Sequence, residues 1–196
     1  MREIVLFVED YGHATVIRAI LDRLRGEYGL EIVVRERSVH GGHPRVEAEF
    51  RSFIRELTRG KARLPDLLIA ATDANCEGFR ERKKHMQQAA EAISDRVVYA
   101  IPDPHVERWL LLDSAAFKKV LGVGCQAPDQ KCDRGRYKQL LTKAVLAAGQ
   151  TPLLGGLEHA ADLVSEFHLE QIAKQDESFG DLLGRLHAFF RQWRSS

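Results

Sequence analysis

Side chains that could bind a cation or move a proton directly follow three apolar runs in the first half of the chain. They are Glu9, Asp10, Asp73, Asn75 and Asp103, with Glu107 shortly after. Ligands of parallel sheets bind outside the carboxyl ends of the strands, so side chains at these points gather at one edge. Oxygen ligands from several strands suit Mg²⁺ or Mn²⁺, which keep open positions for water or phosphate oxygens. The set therefore indicates a divalent-metal site, and the alternative for each acid taken singly is a helix N-cap.

The elements that must position these side chains alternate between strand and helix. Apolar residues between the strands recur at helical spacing. Four β-branched or aliphatic runs predict the strands themselves, at Glu3–Val8, Glu31–Arg37, Asp66–Thr72 and Arg96–Ile101. This alternation is typical of an α/β fold, and we predict a mainly parallel four-stranded sheet covered by helices.

The strand signal ends after Ile101, and the remaining apolar patterns are helical. They predict helices at about Val106–Leu121, Tyr137–Ala148, Leu157–His168 and Ser178–Trp193. We therefore predict an α/β core over residues 1–113 and a helical C-terminal extension over residues 114–196 that packs on the core.

Composition excludes several classes of protein. The 196 residues include 29 Lys and Arg against 28 Asp and Glu, so a globally basic nucleic-acid-coating protein is excluded. No apolar run approaches the roughly 20 residues of a membrane span, so we predict no membrane partner. Three cysteines disfavour a disulfide scaffold and favour a reducing cytoplasm. A zinc site from His40, His43, Cys125 and Cys132 lacks the usual cysteine spacing.

Basic side chains form two clusters that could contact phosphates. One begins the helix after Asn75 and the other lies within residues 118–143. Nucleic-acid affinity comes mainly from Lys and Arg on phosphates, so we predict nucleic-acid contacts there. The alternative is a solvated helix face in which nearby acids such as Glu81 pair with the cations. The predicted contact residues are Arg80, Lys83, Lys84, Arg134, Arg136 and Lys138.

Three segments together resemble a known family. They are LFVED (residues 6–10), LLIAATDAN (67–75) and IPDPHVERWLLLD (101–113). The first two resemble the glutamate and Asp-x-Asp motifs of the TOPRIM domain, and the third is similar to a stretch of small TOPRIM-like proteins of prokaryotic defence. The resemblance covers roughly residues 2–113. OLD-family nucleases are among the proteins that share the TOPRIM domain.

The resemblance implies a divalent-metal-dependent nuclease that acts on DNA or RNA as an effector of an anti-phage or abortive-infection system. By the same resemblance, Glu9, Asp73, Asn75 and Glu107 would be catalytic. The ligands of Mg²⁺ or Mn²⁺ would be Glu9, Asp73, Asn75 and Asp103. The resemblance also implies an ATPase partner. Whether the chain forms a homo-oligomer stays open at this point.

Two residues depart from the TOPRIM pattern. Asp10 stands where glycine usually follows the glutamate, and Asn75 replaces the second aspartate. Loss of that carboxylate removes a negative charge from the metal site. These departures favour the alternative function, a non-catalytic TOPRIM-derived nucleic-acid-binding or regulatory subunit.

Overall fold

A four-stranded sheet, parallel throughout, forms the centre of the protein in the strand order β2-β1-β3-β4. The computed structural model describes residues 1–39 and 43–195. The strands are β1 (Arg2–Val8), β2 (Ile32–Ser38), β3 (Leu67–Ala71) and β4 (Val97–Ala100). The predicted α/β class, with a parallel four-stranded sheet covered by helices, is confirmed.

Both faces of the sheet are buried, which explains the nearly continuous apolar runs of β3 and β4. Ile4, Leu6 and Val8 of β1 face one hydrophobic cluster, whereas Phe7 faces the other. Successive side chains of a strand point to opposite faces of the sheet, so β1 contributes residues to both hydrophobic clusters.

The described helices are more numerous than the sequence pattern predicts, because one predicted helix is divided and one further helix, α8, is not predicted. The first four are α1 (Tyr11–Tyr28), α2 (His43–Thr58), α3 (Phe79–Ala89) and α4 (Val106–Leu110). The remaining five are α5 (Ser114–Leu121), α6 (Arg136–Ala147), α7 (Ala160–Glu166), α8 (Leu169–Gln175) and α9 (Glu177–Arg194). Helices α2 and α3 cover one face of the sheet, and the other helices share the core on the opposite face.

The predicted helix over Val106–Leu121 is wrong at its centre. The carboxylate of Asp113 accepts hydrogen bonds from the backbone N–H groups of Ala115 and Ala116, and thereby begins a new helix, α5. The second oxygen of Asp113 accepts from the backbone and the ring of His168. That contact lies between α7 and α8, and α8 has no counterpart among the predicted helices.

A buried ion pair joins helix α9 to helix α4. The guanidinium of Arg108 on α4 contacts the carboxylate of Asp176, which caps α9. Helix α9 also packs on β4 and helix α7 on α1. The division into residues 1–113 and 114–196 stays a prediction. Within residues 1–39 and 43–195, no helix is both long and apolar enough to cross a membrane.

Gly156 is a position where a side chain should be costly. Its φ is 100°, and a Cβ there would lie 2.7 Å from Leu141 Cγ and 3.0 Å from Val145 Cγ2. We expect Gly156→Ala to lower the free energy of unfolding by about 2 kcal/mol, as measured by urea denaturation. Gly149→Ala is the matched control, because its φ is 74° with no atom within 4 Å. An equal loss of stability in both variants would show that the close contacts with Leu141 and Val145 of α6 add nothing to the cost of the substitution.

Candidate functional site

Backbone hydrogen bonds continue the β3–β4 pairing beyond the ends of these strands. Thr72 N–H donates to Ala100 O at 3.2 Å, Ala74 N–H to Pro102 O at 2.9 Å, and Asn75 N–H to Pro104 O at 3.0 Å. Asn75 has a left-handed φ of 50°, which asparagine tolerates better than most residues. The two strand-end loops therefore form one fixed edge, on which the next residues are placed.

Four side chains form a continuous hydrogen-bonded chain along this edge. Asp10 Oδ1 lies 2.8 Å from His13 Nδ1, and His13 Nε2 lies 3.0 Å from Asp73 Oδ1. Asp73 Oδ2 in turn lies 2.9 Å from His105 Nδ1. His13 is fully buried, whereas the side chain of His105 keeps 16% of its surface exposed. The hydrogen-bonded chain thus passes through a buried histidine and ends at a histidine that solvent can reach.

The donors in this chain follow from the hydrogen-bonding chemistry of the groups. Asp73 Oδ1 also accepts the backbone N–H of Val106 at 3.0 Å, as a carboxylate oxygen can. An ionised Asp73 offers only acceptors, so both histidines donate to it and the Nδ1 of His105 carries a proton. The Nε2 of His105 is then the ring atom available for proton exchange with a ligand.

Electrostatics keep the interior of the chain charged. Burial opposes ionisation of His13, but the charges and hydrogen bonds of Asp73 and Asp10 raise its pKa well above the ordinary 6.5. Burial likewise acts to raise the pKa of Asp10, but the hydrogen bond and charge of His13 bring it to about 2. The pKa of Asp73 is also lowered, since the effects of His13 and His105 outweigh its burial. His13 is therefore an imidazolium ion between two carboxylates.

The outer groups of the site have raised pKa values. The hydrogen bond from His105 to Asp73 raises the pKa of His105 above 6.5, although burial acts against this. Burial and the negative charge of Asp73 raise the pKa of Glu107. Groups perturbed by burial and a specific charged partner cluster at functional sites, so this edge is the strongest candidate site of the molecule.

The structure brings Glu9, Asp73 and Glu107 to the same edge, and it gives the carboxylates of Glu9 and Asp73 protein partners. Glu9 Oε2 accepts from the Thr72 hydroxyl at 2.5 Å, and Asp73 is shared by the two histidines. The side-chain amide of Asn75 lies 3.4 Å from the backbone oxygen of Asp73, away from the carboxylate itself.

Asp103 is placed differently from the other predicted ligands. Its Oδ2 accepts the backbone N–H of Phe79 at 3.2 Å, at the beginning of α3. Asp103 is not itself an N-cap residue, because Gly78 holds that position in α3 and His105 holds it in α4, so it satisfies this N–H group from another part of the chain.

Metal-ligand geometry occurs at another place in the described residues. Ligand atoms of Glu47, Glu77 and His85 lie within 4.8 Å of one another. Arg82 bridges both carboxylates there, at 2.8 Å to each, so a protein cation already occupies the space between them. The binding of Mg²⁺ or Mn²⁺ by the strand-end residues stays a prediction.

Most of the predicted phosphate-binding residues form ion pairs within the protein. Arg80 pairs with Glu177 at 2.9 Å and Lys83 with Asp181 at 2.6 Å, both acids lying on α9. The remaining pairs are Lys84 with Glu81 at 3.8 Å and Arg136 with Asp129. Arg134 and Lys138 are exposed. The pairing matches the alternative of a solvated, salt-bridged surface, and nucleic-acid binding stays a prediction.

Two of the three cysteines form a disulfide that the sequence does not predict. Cys76 and Cys132 are bonded, with their Cα atoms 5.1 Å apart. The sequence disfavours a disulfide scaffold and does not predict this single bond, because the fold brings together two residues far apart in sequence. The zinc alternative loses Cys132 as a ligand in this way, and His40 and the side chain of His43 lie outside the described residues.

The histidines at this edge have a sequence signal of their own. His13 precedes Ile17 by four residues, so it lies on the buried face of α1. A buried polar side chain on an apolar face needs hydrogen-bond partners, and Asp10 and Asp73 are those partners. His105 follows the end of β4, where polar residues of parallel sheets commonly bind ligands.

Comparisons with known proteins give little similarity. No family model and no curated protein matches the chain. A solved structure, the low molecular weight protein tyrosine phosphatase from Bacillus subtilis, matches with 15% sequence identity and a TM-score of 0.30. The match covers 89% of this chain and 99% of that chain.

The TOPRIM identification is wrong, and with it the nuclease of a defence system and its alternative, a non-catalytic TOPRIM-derived subunit. No family model matches the chain, so none supports the TOPRIM interpretation of the three segments. The physical reason is that acids after parallel strands are a general feature of α/β sheets. Here Asp73 lies between two histidines and Asp103 accepts a backbone N–H of α3, so the acids have roles that the motif pattern did not distinguish.

Proposed function

We propose that this protein is an enzyme that works by general acid–base catalysis on a small molecule, with His105 as the group that exchanges the proton. The observation that carries the proposal is the chain Asp10–His13–Asp73–His105, with contacts of 2.8, 3.0 and 2.9 Å. A histidine held by a carboxylate through Nδ1 presents Nε2 in a fixed orientation, which general acid–base catalysis requires.

The buried part of the chain supports this role by holding Asp73 in place. Asp73 receives hydrogen bonds from His13, His105 and the backbone of Val106, so its carboxylate has little freedom to rotate. A fixed, ionised Asp73 stabilises the imidazolium that forms when His105 accepts a proton. The positive charge of His13 offsets part of this effect and keeps Asp73 ionised in a buried place.

Glu107 gives the same edge a second titratable group. It lies two residues after His105, and its raised pKa extends the pH range in which it holds a proton. A site with a histidine and a carboxylic acid can accept a proton from water or a hydroxyl group and donate one to a leaving group. We propose this pair of roles for His105 and Glu107.

His105→Gln tests the proposal with p-nitrophenyl acetate as the probe substrate. We expect the variant to lower kcat/KM by about 100-fold or more, because general acid–base catalysis supplies that much. Gln keeps a polar side chain of similar reach but cannot exchange a proton.

His168→Gln is the matched control for this measurement. His168 also bonds through Nδ1 to an aspartate, Asp113, at 2.9 Å, and it is more exposed, but it lies between α7 and α8. We expect this variant to hydrolyse the ester at nearly the wild-type rate. Equal rates in His105→Gln and the wild type, with both proteins folded by circular dichroism, would contradict the proposal.

A further inference from the structure

The disulfide joins the candidate site to an irregular segment of the chain. Cys76 lies three residues after Asp73, and Cys132 lies in the connecting segment 122–135, which has no helix or strand between α5 and α6. Both cysteines are exposed residues. A thiolate in solution can therefore reach the bond, as thiol–disulfide exchange requires.

The connecting segment meets the site a second time through Tyr137. Its ring is fully buried and lies 6.0 Å from the ring of His105, measured between centroids. Its hydroxyl accepts the backbone N–H of Lys131 at 2.7 Å and lies 2.9 Å from the backbone oxygen of Asp129. The segment is thus attached on the Asp73 side by the disulfide and on the His105 side by Tyr137.

The third cysteine does not compete for this exchange. Cys125 is partly buried, and its thiol lies 3.6 Å from the backbone oxygen of Leu111. Burial raises its pKa to about 11, so little of the reactive thiolate forms near neutral pH. The exposed pair Cys76 and Cys132 is therefore the pair of this chain that a thiol in solution can reach.

We propose that the Cys76–Cys132 bond is a reversible modification site, where reduction by a dithiol frees the connecting segment and loosens the Asp73–His105 pair. A reductant thiolate attacks one sulfur and forms a mixed disulfide, and the released protein thiolate takes up a proton. The second reductant thiol then closes the reductant's own disulfide and releases the other protein thiol. Two electrons and two protons pass from the dithiol to the protein.

This inference rests on the proposed function, because it gives the acid–base site a redox control. Oxidation joins the segment to Cys76, three residues after Asp73, and reduction leaves Tyr137 as the described side-chain attachment near His105. The reduced form should therefore have a less fixed Asp73–His105 hydrogen bond.

The test compares the full-length chain equilibrated with oxidised or reduced dithiothreitol. A thiol count under denaturing conditions should rise from one per chain to three, because Cys125 alone is free in the oxidised form. Amide hydrogen exchange in residues 122–135 should become at least about tenfold faster on reduction. The imidazole NMR signal of His105, assigned with His105→Gln, should shift, whereas that of His168 should not.

Cys76→Ser/Cys132→Ser should resemble the reduced wild type in both redox states, and Cys125→Ser is the matched control that should respond as the wild type does. Three thiols per chain after oxidation would overturn the inference, as would unchanged exchange and an unchanged His105 signal on reduction. These readouts need no turnover, so a failed esterase assay and a failed redox response remain distinguishable.

Discussion

Asp176→Ala is expected to lower the free energy of unfolding by about 4 kcal/mol. Asp176 is 4% exposed, and its Oδ1 accepts from the backbone N–H of Phe179 at 2.8 Å and the Ser178 hydroxyl at 2.5 Å. Its Oδ2 pairs with Arg108, whose side chain is also buried. The variant loses the N-cap of α9, worth about 1 kcal/mol, and leaves a buried guanidinium without its carboxylate, which costs about 3 kcal/mol.

Urea denaturation of two further variants separates these effects. Asp176→Asn keeps a good capping residue but removes the charge, so it should lose mainly the ion-pair part. Arg108→Met added to Asp176→Asn should recover much of that loss, because it removes the unpaired buried cation. A cost below about 1 kcal/mol for Asp176→Ala would mean that the pair is not buried in solution.

His13→Leu should destabilise the protein most at mildly acid pH, by about 3 kcal/mol, because it leaves Asp73 and Asp10 without their shared cation. The pKa of His13 is raised in the folded state, so its contribution is complete below its ordinary value of 6.5. That contribution is lost as pH rises through the folded-state pKa. The pKa values of Asp73 and Asp10 are lowered, so their contributions are present above 3.8 and lost as pH falls.

Urea midpoints from pH 5 to pH 9.5 check this dependence. The wild type should be most stable between about pH 4 and 6.5 and lose stability as the solution becomes alkaline, and His13→Leu should flatten that decline. His85→Gln is the control, because His85 is a half-exposed histidine beside Glu77. Parallel pH profiles for the wild type and His13→Leu would falsify the assignment of a buried imidazolium.

Much of the sheet could be predicted from the sequence, for a physical reason. Strands buried on both faces need apolar side chains at every position, so β3 and β4 stand out as runs. Helix α1 was equally visible, because Ile17, Ile20 and Leu24 recur on one face. The division at Asp113 was not visible, because it depends on hydrogen bonds to α5 and to His168 at once.

The candidate site could be predicted only in part. The structure places Glu9, Asp73 and Glu107 at one edge, but the histidine partners of Asp73 are not visible from the strand-end pattern. Asp73 meets His13 sixty residues before it, and Cys76 meets Cys132 56 residues after it. Spacing carries no signal for such pairs. Likewise, the sequence gives no sign of the ion pair between Lys83 and Asp181, because Asp181 comes from α9, 98 residues later.

The continued pairing beyond β3 and β4 has a mechanical consequence. Because the loops after both strands share backbone hydrogen bonds up to Asn75 and Pro104, they move as an extension of the sheet. The backbone segments that carry Asp73 and His105 therefore keep their separation, and any loosening of the pair must come from its side chains. Any accommodation of an arriving molecule then falls to the helical side of the protein, where the irregular residues 122–135 are joined to Cys76 by the disulfide.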